Sequence, residues 1–204
     1  NTLKDLFSAI SSDLVNASAK ADSESGAAQI FVNRMKRWSE LLTGRKSKGL
    51  SLSQQLGLLG ELHVLNWVCL KEIVTENLLV RGWRGPDGDS RDIDLGNISV
   101  EVKAALGTSK NVLRISSLDQ LDTEYRELVV SHCRFSHSDT GLSIGKYVED
   151  LEAAFNLFPE VRRDFQRKLY LTGYDPAADY VHDRYEIQNH TFYFVSEGFP
   201  RLTK

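Results

Sequence analysis

The segment from Leu52 to Leu70 restricts the fold more than any other part of the sequence. Apolar residues occur almost all the way round a helix drawn through it, and Glu61 and His63 are the only acidic or basic side chains between Gln55 and Lys71. A helix that is apolar on nearly every side is buried. We therefore expect this helix to lie in the protein core.

A β-hairpin is predicted between Asp92 and Lys103. Alternating apolar and polar residues flank a short Gly96-Asn97 turn, which is typical of two antiparallel strands. With a two-residue loop, Asp92 lies directly opposite Glu101. Residues two apart on a strand share a face, so Lys103 projects beside Glu101. One face of the hairpin is therefore acidic with one lysine, and the other is apolar.

The facing carboxylates indicate a metal site. Like charges directly opposite on a sheet are destabilising, and a fold tolerates them most readily when a cation lies between them. Mg²⁺ binds oxygen ligands, usually one or two carboxylates with water and substrate phosphate oxygens. Asp92 and Glu101 are thus candidate ligands. Asp94 shares the face of Asp92 and is an alternative acid, although the hairpin register favours Asp92.

Glu61 is a further candidate because it lies on the apolar stripe of the buried helix, in line with Leu58, Leu65 and Val68. An unpaired carboxylate on such a stripe is costly. A metal ion, a basic partner or a proton could neutralise it. Gly60, beside it, would let the helix approach a sheet closely. We expect a polar or metal-linked role for Glu61 rather than an exposed position.

The rest of the chain alternates helices and strands. Two amphipathic helices, at residues 3–19 and Ser25–Leu42, precede a polar, basic loop at Thr43–Gly49, so we expect a helical arm over residues 1–48 and a main domain over residues 49–204. Further predicted elements are strands at Val112–Ile115 and Glu127–Phe135, helices at Ser117–Leu121, Tyr147–Phe158 and Val161–Leu171, and a terminal strand or hairpin at Tyr185–Val195.

Charge and composition exclude several classes of protein. The net charge of −3 argues against a strong overall positive field for nucleic acid, so phosphate contacts must be local. No segment approaches the roughly 20 apolar residues of a membrane-spanning helix, and a cytoplasmic location is expected. Cys69 and Cys133 lack the spacing of metal ligands, which predicts two reduced thiols. The chain begins at Asn1 and its single methionine is Met35, so it could be a fragment.

Several side chains near the acidic motif have two interpretations. Trp83 is expected to pack under its loop rather than to stack on a base. His63 lies on a different helix face from Glu61, and we expect a structural histidine; the other histidines lack zinc-site spacing. The basic residues around the motif could contact phosphate or balance local acids, and neither role is preferred. These residues are Arg81, Arg84, Arg91, Lys110 and Arg114.

Five segments, in order along the chain, resemble a known family. They are GLLGELHVL (57–65), WRGP (83–86), RDIDL (91–95), VEVK (100–103) and RISSLDQL (114–121). Asp92, followed nine residues later by Glu101-Val102-Lys103, looks like the D…(D/E)XK signature of restriction-endonuclease-like nucleases. Together the segments are similar to the bacterial "PD-(D/E)XK motif protein" family linked to restriction and phage-defence loci. Arg91 replaces the proline of the nominal PD pair, a departure that is common in this superfamily.

The resemblance implies a restriction-endonuclease-like α/β fold, with a mixed central sheet flanked by helices. It also implies Mg²⁺-dependent hydrolysis of DNA phosphodiester bonds, with Mn²⁺ as a substitute. Asp92 and Glu101 would hold the metal, and Lys103 would orient or help deprotonate the attacking water. Glu61 would hold a metal-associated water or a second ion. Gln120 would position a helix or a phosphate, with helix capping or packing as an equal alternative.

The function expected from this resemblance is a DNA nuclease of restriction or phage defence, an endonuclease rather than an exonuclease. Its partners would be DNA, other subunits of the defence system and, as in many relatives, a second copy of the chain. A catalytically inactive module that binds DNA or a partner protein is the main alternative, and retention of all four polar positions argues against it. A structural piece of a larger polypeptide is a third interpretation.

Overall fold

The computed structural model describes residues 2–21, 23–42, 50–107 and 127–195. The chain divides into two compact units, Asn1–Lys48 and Gly49–Lys204. The first unit contains helices α1 (Thr2–Ser18) and α2 (Glu24–Leu42), so both predicted N-terminal helices are confirmed. Buried polar side chains join them: Asp13 accepts a hydrogen bond of 3.1 Å from Trp38 Nε1 and forms an ion pair of 3.7 Å with Arg34 Nε.

The buried helix predicted in the second unit is present as α3 (Leu52–Leu70). A capping box fixes its N-terminus, because Ser51 Oγ accepts from Gln54 N and the Gln54 side chain accepts from Ser51 N. Such reciprocal caps satisfy backbone donors that have no partner inside the helix. Apolar residues on several sides of α3 are buried, as the sequence predicts; they include Leu58, Leu59, Leu62, Val64, Leu65 and Val68.

A four-stranded mixed sheet accompanies α3 in the described residues. Its strands are β1 (Ile93–Asp94), β2 (Ile98–Leu106), β3 (Glu127–Ser143) and β4 (Arg184–Val195), in the order β1-β2-β3-β4. The pairs β1–β2 and β3–β4 are antiparallel, whereas β2 and β3 are parallel. The predicted α/β class with a mixed sheet is confirmed.

The hairpin between β1 and β2 has the predicted register. Ile93 lies opposite Val100 and Asp94 lies opposite Ser99, and Leu95 N donates to Ile98 O at 2.9 Å across the turn. Gly96 adopts a φ of +97° in this turn, a conformation that glycine reaches without strain. The pattern of alternation and the turn residues therefore sufficed to place the strands.

Elsewhere the boundaries differ from the predictions. The strand predicted to end at Phe135 continues to Ser143, because β4 keeps pairing with it beyond an irregularity between His137 and Leu142. Helix α5 (Ile144–Ala154) follows directly, capped by Ser143 Oγ, and thus begins before Tyr147. Helix α6 spans Pro159–Thr172. Helix α4 (Glu76–Gly82) was not predicted.

Two further elements complete the described fold, and two predictions cannot be compared with it. Short 3₁₀ turns occur at Gly85–Asp87 and Asp179–His182. The strand predicted at Val112–Ile115 and the helix predicted at Ser117–Leu121 lie outside the described residues. Among the described helices, none combines the length and apolarity needed to cross a bilayer.

Close contact between α3 and the sheet depends on Gly60. A Cβ placed on this residue would lie 2.8 Å from Ala104 Cβ and 3.2 Å from Val102 Cγ1. Both contacts are shorter than normal packing distances, so any side chain at this position would push α3 away from β2. The sequence prediction that Gly60 permits close approach to a sheet is confirmed.

We predict that Gly60→Ala destabilises the protein although alanine is the better helix former. Overpacking a core costs about 1–3 kcal/mol, which outweighs the roughly 0.5–1 kcal/mol gained in helix propensity. Gly57→Ala is the matched control on α3, because a Cβ there would have nothing within 4 Å, and it should be neutral or stabilising. Urea unfolding followed by circular dichroism measures both. Equal effects of the two substitutions would contradict the role assigned to Gly60.

Candidate active site

The hairpin brings two acidic side chains and a lysine together. Asp92, just before β1, accepts a hydrogen bond of 2.7 Å at Oδ2 from the backbone N–H of Val102. On β2, Lys103 Nζ donates to Glu101 Oε1 at 2.8 Å. Glu101 is 1% exposed, whereas the Lys103 side chain is 18% exposed. The Glu101 carboxylate is thus enclosed, whereas Asp92 and the lysine are half-buried.

Helix α3 supplies the third carboxylate. Trp83 Nε1 donates a hydrogen bond of 2.6 Å to Glu61 Oε2. A Cβ placed on Gly85 would lie 2.8 Å from the same Glu61 oxygen and 3.5 Å from Asp92 Oδ1. The absence of a side chain at Gly85 therefore leaves space between the acid of the helix and the acid of the hairpin.

Burial and mutual repulsion favour the protonated forms of these acids. Burial raises the pKa of Glu61 to about 8, assisted by the negative charge of Asp92 and opposed by the Trp83 hydrogen bond. Burial, followed by repulsion from Asp92, raises the pKa of Glu101 to about 7, although Lys103 opposes the shift. Burial also raises the pKa of Asp92 against the Val102 hydrogen bond. Buried acids with such raised pKa values concentrate at functional sites.

One oxygen of this group has no partner within the described part of the chain. Glu101 Oε2 is buried without a hydrogen bond, since the Lys103 ammonium contacts the other oxygen. A buried polar atom left unsatisfied costs about 1–3 kcal/mol. A divalent cation would satisfy the oxygen and offset the repulsion, and a donor set made of carboxylates suits hard ions such as Mg²⁺ and Mn²⁺. The residues present therefore fit such an ion.

The carboxylates do not form a closed cage. Within the described ranges, the group of three side chains placed closely enough to hold a metal ion is His63, Cys133 and His190, and the three acids do not form such a group. The more open acidic group is compatible with Mg²⁺, which usually keeps several waters and binds one or two protein carboxylates. The acids thus resemble part of a site that is completed by water and substrate oxygens.

Asp92 and Asp94 have different surroundings. Asp94 Oδ1 accepts a hydrogen bond of 2.9 Å from Gly96 N, a local contact that stabilises the hairpin turn. Asp92 Oδ1 instead lies near Gly85, where an added Cβ would also meet Glu61 Oε2. The geometry therefore favours Asp92 as the acid of the site. Gln120 lies outside the described residues, so its predicted role is not assessed by the structure.

Trp83 has a role that the sequence did not indicate. Its ring is fully buried and packs against Phe165 at a centroid distance of 5.6 Å, which confirms packing under the loop and excludes stacking on a base. The hydrogen bond from its indole to Glu61, however, was not anticipated. Trp83 therefore fixes one oxygen of a candidate catalytic acid, Glu61, through a buried hydrogen-bond donor.

Lys168 of α6 was also missed. Its side chain is 2% exposed, and its Nζ donates to Trp83 O, to Arg81 O at 3.3 Å and to Asp87 Oδ2 at 3.0 Å. It thereby anchors the loop that carries Trp83. A signal was present in the sequence, because Lys168 follows Phe165 by three residues and shares its buried helical face.

The remaining basic side chains and His63 have different surroundings where the structure describes them. Arg91 lowers the pKa of Glu101 through its charge, so it balances a local acid. Arg81 is exposed and Arg84 is half-buried, whereas Lys110 and Arg114 lie outside the described residues. His63 contacts Tyr147 and His190, and burial lowers its pKa to about 4, with a contribution from His190.

We predict that Glu61→Gln stabilises the metal-free protein at alkaline pH. The folded pKa of about 8 exceeds the ordinary value of 4.5, so the folded state holds this proton more tightly than the unfolded chain does. Stability contributed by the protonated acid is therefore fully present below pH 4.5 and is lost progressively as the pH rises to about 8. In a chelator, the variant should melt about 2–4 °C higher at pH 8.5, which corresponds to roughly 1 kcal/mol, and should match wild type near pH 4.5.

Exposed Glu186 provides the control for that experiment. Glu186→Gln should leave the dependence of Tm on pH unchanged. The same dependence in Glu61→Gln and wild type would mean that Glu61 does not hold its proton as described.

Comparison with known protein families agrees with the fold. The sequence matches, over residues 1–204, the family described as "Putative PD-(D/E)XK family member (DUF4420)". No curated protein and no solved structure matches the chain significantly. The four-stranded mixed sheet with helices around it is consistent with a restriction-endonuclease-like core. The match extends over the whole sequence, and the chain therefore belongs to the DUF4420 family of the PD-(D/E)XK superfamily.

Proposed function

We propose that this protein is a divalent-metal-dependent deoxyribonuclease, and an endonuclease rather than an exonuclease. The observation that carries the proposal is the buried Glu101 carboxylate, which has one oxygen bound by Lys103 and the other without a hydrogen bond among the described residues. A purely structural ion pair would not require the crowding of Asp92 and Glu61 beside it. A site that binds a cation and a phosphate requires both the acids and the lysine.

Asp92 and Glu101 are the proposed metal ligands, with Glu61 as a supporting carboxylate. Mg²⁺, or Mn²⁺ in its place, would acidify a water molecule and offset the negative charge of the scissile phosphate. The Val102 N–H holds Asp92 Oδ2, and the Trp83 indole holds Glu61 Oε2. Each of these two acids is therefore oriented by a hydrogen-bond donor before any substrate arrives, which is the arrangement that electrostatic catalysis requires.

Lys103 is the proposed catalytic cation of the protein. Its ammonium is held by Glu101 Oε1 at 2.8 Å but keeps enough exposure to reach a phosphate. Nζ would orient the attacking water and stabilise the charge that develops on the phosphate oxygens. In the reaction, the water oxygen bonds to phosphorus as the bond from phosphorus to the leaving sugar oxygen breaks. The leaving oxygen then takes up a proton, and the products are a phosphate end and a hydroxyl end.

A role in restriction or phage defence, in a bacterial cytoplasm, completes the proposal. The family description supports the nuclease-like fold, and the order of the five sequence segments supports the defence setting. Because the net charge is −3, DNA would be held by local contacts near the site, for which half-buried Arg84 is a candidate. Other subunits of a defence system and a second copy of the chain are the partners proposed.

We predict that Asp92→Asn and Lys103→Met each reduce DNA cleavage by about 100-fold or more, since loss of one stabilising group at a transition state costs roughly that factor. Cleavage of supercoiled plasmid and of single-stranded DNA would be measured with Mg²⁺ or Mn²⁺ and with a chelator. Asp94→Asn is the matched control, because asparagine can make the same turn contact, and it should cut like wild type.

Full cleavage by the Asp92 and Lys103 variants would overturn the mechanism. DNA binding by the wild-type protein without any metal-dependent cutting would instead support the inactive binding module. In that outcome there is no metal-dependent cleavage to lose, and Asp92→Asn should not change the affinity for DNA by a large factor.

A further inference from the structure

A second group of potential metal ligands lies outside the carboxylate site. His63 projects from α3, Cys133 from β3 and His190 from β4, and one ligand atom of each lies within 4.8 Å of the others. Cys133 and His190 are direct partners in the register of β3 and β4. Cys133 is fully buried, and both histidines are half-buried. Three elements distant in sequence therefore converge on one small volume.

We propose that His63, Cys133 and His190 bind a single Zn²⁺ ion. Imidazole nitrogen and thiolate sulfur are both ligands that zinc accepts, whereas carboxylates and water suit magnesium. This zinc site is distinct from the nuclease proposal and does not depend on it.

The contacts of the two histidines support this assignment. His63 Nε2 and His190 Nδ1 face each other at 3.2 Å. Their other ring nitrogens are each held by a hydroxyl, His63 Nδ1 by Tyr147 at 3.0 Å and His190 Nε2 by Ser131 at 2.9 Å. Histidines that ligate a metal almost always hydrogen-bond through the nitrogen that faces away from it. Both rings have this arrangement, with the two facing nitrogens left to bind the metal.

The distances between the ligand atoms also suit a zinc ion. Zn–N bonds of about 2.0–2.1 Å and Zn–S bonds of about 2.3 Å place tetrahedral ligand atoms roughly 3.3–3.6 Å apart. The separation of 3.2 Å between the two imidazole nitrogens is close to this value. The remaining separations, at most 4.8 Å, require side-chain movements of about 1 Å. Three protein ligands leave a fourth position for a water molecule.

The competing explanation is a hydrogen-bonded cluster without metal. In that case one of the facing nitrogens carries a proton and donates to the other, and the Cys133 thiol contributes only a weak contact of 3.8 Å to Ser131 Oγ. Aromatic rings surround the histidines, with Phe135 against His63 and with Trp67 and Phe192 against His190. Such an apolar surrounding limits the access of solvent to a metal site. In a hydrogen-bonded cluster, by contrast, the Cys133 thiol would make only its weak contact to Ser131 within the described residues.

Zinc would link α3 to β3 and β4. His63 follows Glu61 by two residues on α3, so the ion would fix the helix that carries an acid of the candidate active site. The expected effect is on stability and on the order of α3 rather than on the chemistry of phosphate hydrolysis. Zinc added at 100 times its Kd should therefore stabilise the protein by about 2.7 kcal/mol, which for a chain of this size raises Tm by roughly 5–10 °C.

The test uses the full chain with Asp92→Asn and Glu101→Gln, so that the carboxylate site does not compete for metal. Metal-free protein is titrated with Co²⁺ and then with Zn²⁺. We expect one ion per chain, a thiolate-to-cobalt charge-transfer band that zinc abolishes, and a rise in Tm with zinc. Cys133→Ser should remove the band and weaken zinc binding by about 100-fold or more, because even the outer hydrogen-bond partners of a metal site are worth about 10–100-fold.

Cys69, half-buried and outside the cluster, provides the matched control, and Cys69→Ser should bind both ions like its parent. A second readout needs no cysteine variant: zinc should slow alkylation of Cys133 but not of Cys69, as followed by mass spectrometry. The absence of a thiolate–cobalt band, or alkylation of Cys133 that zinc does not slow, would overturn the proposal. Either result would leave the nuclease proposal standing, since neither measures DNA cleavage.

Discussion

The crowding of three carboxylates in a buried space is the constraint on which the second unit of this protein depends. Each acid accepts a hydrogen bond from a strong donor: Asp92 from the Val102 N–H, Glu61 from the Trp83 indole and Glu101 from Lys103. These donors do not compensate for burial and repulsion, and the raised pKa values of the three acids express the remaining cost. Protonation relieves part of the unfavourable burial and repulsion of these carboxylates in the folded protein, and a bound cation would relieve more of it.

Small residues and one buried lysine make this crowding sterically feasible. A Cβ on Gly60 would separate α3 from β2, one on Gly85 would fill the space between two acids, and one on Gly82 would overlap the Asp94 carbonyl. Lys168 anchors the connecting loop from α6 through two carbonyls and Asp87. The core of the domain is therefore organised to hold side chains that repel one another, rather than solely to maximise apolar contact.

The local sequence pattern predicted those features of the site that depend on residues close together in the chain. The hairpin register follows from alternation and a two-residue turn, and Glu61 is conspicuous as a charge on an apolar helix. The sequence could not reveal contacts between distant positions. His63 meets Tyr147 and His190 across 84 and 127 residues, and Lys168 reaches Trp83 across 85 residues. The extension of β3 to Ser143 likewise depends on pairing with β4, which outweighs the turn-forming residues before it.

The two proposed metal sites differ in ligand hardness, and this difference would keep them separate. Divalent zinc binds most nitrogen and sulfur ligands more tightly than magnesium does, so where both ions are present zinc would occupy the His63–Cys133–His190 group and leave the carboxylates to the harder ion. Glu61 and His63 lie two residues apart on α3 and point to different faces. A rigid helix that contributes one side chain to each site would transmit displacement from one to the other. Zinc binding would then restrict the position of Glu61 relative to Asp92 and Glu101.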